Sequence, residues 1–138
     1  MIKIIMGPKG SGKTKSFIDK VNVAIKEEKG NVVCIAKGNR HLFDVKSSVR
    51  LVDTADFDMG CYNVFYGFIC GIISRDFDIT HIFIDSVTKI ANDDYAKLDE
   101  FLNKLEVLSE KFNISFTLTV SAEVSNATET MKKYLIEL

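Results

Sequence analysis

The sequence predicts an α/β domain: a three-layer sandwich in which helices cover both faces of a mainly parallel sheet of four or five strands. Three observations predict it. Short, almost unbroken apolar runs stand at Ile2 to Met6, Val32 to Ala36 and His81 to Ile84, and a strand covered on both faces reads as such a run, not as an alternation. Stretches with apolar residues three and four apart lie between them, the period of an amphipathic helix. The alternation of the two patterns implies right-handed strand–helix–strand crossovers. The chain of 138 residues suits one domain spanning 1–138.

The elements follow in order. After the first strand, Phe17, Ile18, Val21, Ala24 and Ile25 mark one face of a helix that starts near Lys13 and stops before Lys29, with Gly30 as its expected left-handed C′ residue. Val32 to Ala36 is β-branched and apolar, a second strand. Lys37 to Ser48 is polar and reads as a loop with a short helical turn at Leu42 to Val45; Val49 to Val52 is a short further strand. Tyr62 to Arg75 has helical spacing, and Gly67 and Gly71 are expected to let that helix close on the sheet. Asp94 to Phe112 is a long amphipathic helix with Asn92, Asp93 and Asp94 as candidate caps. Ile114 to Val120 alternates in part with Ser115, Thr117 and Thr119, the pattern of a strand nearer an edge. Ala127 to Leu138 reads as a closing helix.

Between the first strand and the first helix stands GPKGSGKT, Gly7 to Thr14. It fills every fixed position of GxxxxGK[ST], a phosphate-binding loop. Backbone N–H groups must turn inward around the anion, which suits Gly7, Gly10 and Gly12. Pro8 lacks an N–H and supplies stiffness only, while Lys9 and Ser11 complete the cradle. The helix that follows adds unpaired N–H groups and its positive end. Lys13 is placed to reach the β- and γ-phosphates and the Thr14 hydroxyl to ligate Mg²⁺. Asp85, at the carboxyl end of an apolar strand, is the second candidate magnesium ligand, since ligands of an open parallel sheet collect at that end.

On these residues the chain resembles a small P-loop NTPase, with Gly7 to Thr14 as Walker A and Ile82 to Asp85 as Walker B. Its layout is similar to the RecA-like branch and to the amino-terminal part of bacterial-type thymidine kinases. The resemblance implies the P-loop NTPase fold, ATP and Mg²⁺ as ligands, and Lys13 and Asp85 as catalytic groups. Two departures stand out: Ser86 follows Asp85 where many such ATPases carry a water-polarising Glu, and no zinc-binding cysteine spacing exists. A serine cannot accept a proton there without an activating base. Glu123, just past the Ile114 to Val120 strand, is the candidate replacement, with Thr119 and Ser121 as candidate γ-phosphate sensors.

Arg40, Arg50 and Arg75 are the chain's arginines, too few for the arginine-rich lid of nucleoside monophosphate kinases. No NKxD or DxxG pattern occurs, which leaves adenine favoured over guanine. The function expected is therefore a Mg-ATP-binding protein with slow or partner-stimulated hydrolysis, a switch or an oligomeric ATPase completed by a neighbouring subunit. The alternatives are a nucleoside-type kinase with Asp53, Asp56 or Asp58 near its acceptor, and a nucleotide-gated module docking a protein through the Tyr62 to Ile73 helix or the carboxyl-terminal helix.

Composition narrows the remaining classes. Eighteen basic against nineteen acidic side chains give a formal charge of −1, without a basic stripe to meet nucleic acid. Cys34, Cys61 and Cys70 form an odd set expected to be small buried apolar residues in a reducing compartment. The amino-terminal stretch lacks the apolar region of a signal peptide, and the run Val64 to Ile73 is too short to span a bilayer, so a cytoplasmic protein without a membrane span is expected.

Overall fold

Six strands form one sheet in the structure, a computed structural model that describes residues 1–38 and 48–138. They are β1 (Ile2–Gly7), β2 (Asn31–Ala36), β3 (Arg50–Asp53), β4 (Ile79–Ile84), β5 (Ser115–Ser121) and β6 (Leu135–Ile136). Their order is β3-β2-β4-β5-β1-β6, and each pairing is parallel. Parallel neighbours require crossovers. These contain α1 (Lys13–Glu27), α2 (Tyr62–Arg75), α3 (Val87–Ala91), α4 (Leu98–Phe112) and α5 (Glu129–Lys132). The helical turn expected at Leu42 to Val45 lies outside the described residues.

Helices cover both faces, so apolar side chains point both ways along each strand. Ile4, Ile35, Ile84 and Leu118 pack with Phe65 and Ile69 of α2 and Phe101, Leu102 and Leu105 of α4. Ile5, Cys34 and Phe83 meet Phe17, Val21 and Ala24 of α1 on the other face. Aromatic pairs anchor the two layers: Phe65 stacks on Phe101 at 5.7 Å between ring centres, and the Phe17 edge meets Phe83 at 5.7 Å. Truncating a buried phenylalanine such as Phe17 costs about 3–5 kcal/mol.

Several expectations are corrected. The sheet has six strands rather than four or five, because the tail does not close as a helix. Only Glu129–Lys132 is helical there, and Leu135 and Ile136 then pair with Ile4 and Ile5, covering backbone that would otherwise be an open edge of β1. β5 is not near an edge: it lies between β4 and β1, with Thr117 and Thr119 buried and hydrogen-bonded. Gly30 is not a left-handed cap; α1 ends at Glu28 in extended conformation, and a Cβ at Gly30 would overlap the Thr80 side chain and the Asp78 carbonyl. Gly67 and Gly71 face outward, and beyond their own helix backbone nothing lies within 4 Å of where a Cβ would stand. Cys61 and Cys70 are only half-buried, whereas Cys34 is buried.

Of the three candidate caps, Asp94 is the one that caps. Asp94 caps the turn Tyr95–Lys97, which leads into α4, by accepting from Ala96 N–H at 3.0 Å. Asn113, with φ 55°, ends α4 in the left-handed region. Among the described residues no helix is long and apolar enough to cross a membrane.

Candidate functional site

The carboxyl ends of β1, β4 and β5 converge on one cleft of about 670 Å³, lined by Lys9, Gly10, Gly12, Lys13, Thr14, Asp85, Ser86, Thr88, Lys89 and Ser121. Its first wall is the glycine-rich loop. β1 ends at Gly7 and α1 begins at Lys13; between them Ser11 N–H donates to the Pro8 carbonyl at 3.2 Å. Gly10 (φ 86°) and Gly12 (φ 92°) carry positive φ, values that a Cβ disfavours, which is why glycine stands there. Gly12 occupies the N-cap of α1 and offers no capping side chain, and the first turn holds no acidic residue. The first-turn N–H groups and the positive end of a 15-residue helix are thus left uncapped beside the cleft.

Lys13 is buried, at 8% exposure. Among the described residues its hydrogen-bond acceptor is the Pro8 carbonyl, 2.9 Å from Nζ, although an ammonium has three donors. Burial pushes its pKa below the ordinary lysine value, and the Asp85 carboxylate opposes this by less. The Ser11 hydroxyl, inside the loop, is buried without a partner.

The opposite wall comes from β4 and β5. Asp85 N–H donates to the Ile35 carbonyl at 2.9 Å, extending the β4 ladder by one residue. Its buried carboxylate accepts at Oδ1 from Thr119 Oγ1 at 2.8 Å. The same hydroxyl accepts from Ser86 N–H at 2.6 Å, so one β5 side chain fixes both residues. Ser86 sits at φ 56°, a sparsely populated region for serine, where the chain turns from β4 into α3. Thr14 is exposed to the cleft.

Lys9, Lys13 and Lys89 against Asp85 give the lining an excess of positive charge in a chain whose formal net charge is −1. Together with the uncapped helix start, the under-bonded ammonium and the unpartnered serine hydroxyl, this surface fits an anion bearing several oxygens. The volume is that of a small-molecule site. No group of three or more His, Cys, Asp and Glu able to hold a metal occurs among the described residues. A hard cation here would rely on the Thr14 hydroxyl, Asp85 and oxygens of the ligand itself.

Lys9, Gly10, Gly12, Lys13, Thr14 and Asp85 are brought together as expected. Glu123 is not: it is exposed, opens the 3₁₀ turn Val124–Asn126 beyond β5, and does not line the cleft. Thr119 is fully buried behind Asp85, whereas Ser121 reaches the lining. Arg50 and Arg75 lie outside it. Thr88 and Lys89 reach the lining from α3, whose buried Val87, Ile90 and Ala91 form too short a run to mark a helix in the sequence.

Comparison with protein-family models gives no match to this chain, and comparison with curated proteins gives none. The chemistry of the cleft is therefore the basis for assigning a function.

Proposed function

We propose that this chain is a small P-loop NTPase that binds a nucleoside triphosphate, ATP in the first instance, with Mg²⁺, and hydrolyses it slowly as a switch or as one subunit of an oligomeric ATPase. The observation that carries the reading is the facing of two walls across one cleft: the uncapped start of α1 with Lys13 on one side, Asp85 on the other. The loop amides, Lys9 and Lys13 would hold the phosphates. Thr14 and Asp85 would hold Mg²⁺, which neutralises charge on the phosphate oxygens when bound. The absence of guanine motifs favours adenine.

The lining favours slow turnover. Asp85 is its one carboxylate among the described residues, and it already accepts from Thr119. Among the described residues no base is recorded in contact with the Ser86 side chain, and a general base must stand within hydrogen-bond reach of the attacking water. An arginine finger, worth about 10³ to 10⁵ in rate where present, is not supplied by Arg50 or Arg75. Neither group stands at the cleft among the described residues, which do not include Arg40 or His41, and a neighbouring subunit or partner would be one source of them. Phosphoryl transfer to an acceptor is less well supported: Asp53 Oδ1 is engaged by Gly38 N–H and Ala55 N–H at 2.9 Å each, and neither Asp56 nor Asp58 lines the cleft.

Calorimetric titration of the purified chain with Mg-ATP tests the proposal. Binding is expected, weakened about tenfold or more in Lys13→Ala, which is at least about 1.4 kcal/mol. No heat of binding at millimolar Mg-ATP, or equal affinity in Lys13→Ala, overturns it.

A further inference from the structure

Lys89 is the one cation that the second wall contributes to the cleft among the described residues; Lys9 and Lys13 belong to the glycine-rich loop. Its side chain is exposed, and no hydrogen bond or ion pair among the described residues engages its ammonium. Acceptors are close at hand. Lys89 also borders a neighbouring hollow with Asp93 and Asp94, but Asp93 pairs with Lys97 at 3.5 Å and Asp94 accepts from Ala96 N–H at 3.0 Å. A free charge therefore stands at the rim of a cleft whose other groups fit an anion.

The base of its stem is held in place. Val87, Ile90 and Ala91 of α3 are at most 2% exposed and join the core shared with α2 and α4, which leaves Thr88 and Lys89 to line the cleft. Lys89 N–H and Ile90 N–H both donate to the Ser86 carbonyl, at 3.0 and 3.1 Å. Ser86 N–H in turn donates to the Thr119 hydroxyl, which donates to Asp85. The left-handed turn at Ser86, φ 56°, starts α3 immediately after Asp85. A short chain of bonds thus sets the lysine backbone relative to that carboxylate, while the four-carbon stem lets the charged end follow an oxygen.

With the loop amides and Lys13 holding phosphates beside the start of α1, a cation on the facing wall reaches the far end of the phosphate chain. That end is the group a diphosphate lacks. A terminal phosphate also carries the most charge and the most unbridged oxygens of the chain, and an ammonium bonds such an oxygen more strongly than a neutral donor does.

We propose that Lys89 touches the terminal phosphate of a bound nucleoside triphosphate and makes the cleft select triphosphates over diphosphates, an assignment that rests on the nucleotide reading of the site. It is a specificity-determining contact made within one chain, and it needs no guanidinium fork from a neighbouring subunit.

Calorimetric titration of the full chain with Mg-ADP and with the Mg²⁺ complex of adenosine (β,γ-imido)triphosphate, an analogue that resists hydrolysis, tests this. The wild-type chain is expected to bind the analogue about tenfold or more tighter than Mg-ADP. Lys89→Gln should weaken the analogue about fivefold or more and Mg-ADP by less than about twofold, so that the preference collapses. Lys26→Gln, which removes an exposed lysine in the last turn of α1, controls for net charge and should change neither affinity. A wild-type chain that binds neither nucleotide brings down the nucleotide reading and this assignment with it. Where both nucleotides bind and Lys13→Ala weakens them, four results overturn the role of Lys89 alone: no triphosphate preference in the wild type, an unchanged preference in Lys89→Gln, a loss there that falls equally on both nucleotides, or the same loss in Lys26→Gln.

Discussion

Thr119→Val isolates the device that holds the candidate site in place. The substitution keeps the branched shape of the side chain and removes the hydroxyl that donates to Asp85 Oδ1 at 2.8 Å and accepts from Ser86 N–H at 2.6 Å. Position 119 is fully buried and Asp85 only 4% exposed, so water does not replace either bond. A hydrogen bond to a charged group is worth about 1.5–3 kcal/mol, and orphaning the Ser86 N–H adds about 1 kcal/mol or more. A loss of roughly 2–4 kcal/mol is expected, a fall in Tm of about 10 °C for a chain of this size. Thr119→Ser is the control: it keeps the hydroxyl and loses one methyl, about 1 kcal/mol. Thermal unfolding followed by circular dichroism reads both. A Thr119→Val protein melting within about 2 °C of wild type, or a Thr119→Ser protein equally destabilised, refutes the assignment of the hydroxyl as the group that fixes Asp85 and Ser86.

Burial depresses the His81 pKa although the Glu28 carboxylate stands 2.6 Å from Nδ1 and opposes the shift. A histidine depressed in the fold contributes stability that is complete above its unfolded value near 6.5 and is lost as pH falls through the folded one; the urea midpoint should therefore drop between pH 7.5 and 5.5, and drop less in His81→Gln. The Cys34 thiol is pushed up to about 12, by burial first and the Asp85 charge second. At pH 8 a disulfide reagent should consume the half-buried Cys61 and Cys70 while Cys34 waits for unfolding, as mass spectrometry of the labelled peptides would show. Glu123→Gln should leave any ATP turnover within about twofold of wild type in a phosphate-release assay, because a general base must reach the attacking water and Glu123 stands outside the cleft.

The strands and the loop were legible because their signals are local. Val32 to Ala36 is apolar without interruption and Ile2 to Met6 is broken only by the exposed Lys3, since both faces are covered, and the Gly7 to Thr14 pattern specifies its own turn through Gly10 and Gly12. What was illegible depends on partners distant in sequence. Gly30 resembles a helix cap until Thr80 and Asp78 are seen packed against it. The tail has helical spacing at Met131, Tyr134, Leu135 and Leu138, yet only an unpaired edge of β1, more than a hundred residues earlier, makes a strand of Leu135 and Ile136. In the cleft, the loop and Asp85 were readable, whereas Lys89 was not, being presented by a five-residue helix too short to print a clear period.

β5 shows how one such misreading joins the fold to the site. Its alternation of Phe116, Leu118 and Val120 with Ser115, Thr117 and Thr119 has the form of a strand with one wet face, but the strand is central and the threonines are dry. They tolerate burial because the β4 side supplies partners on the same face: Thr117, in register with Phe83, reaches diagonally so that its Oγ1 meets His81 Nε2 at 2.8 Å, and Thr119 Oγ1 meets Asp85. His81 and Asp85 lie four residues apart on β4, so they share a face, and Phe83 between them stacks on His81 at 4.0 Å. A polar stripe thus runs along the face covered by α1, from the Glu28–His81 pair at one end of the strands to Asp85 and the cleft at the other. Each hydroxyl placed there satisfies a polar group whose burial would otherwise be costly. The pattern that suggested solvent is the one that carries a carboxylate, held at a defined position, to the mouth of the candidate nucleotide site.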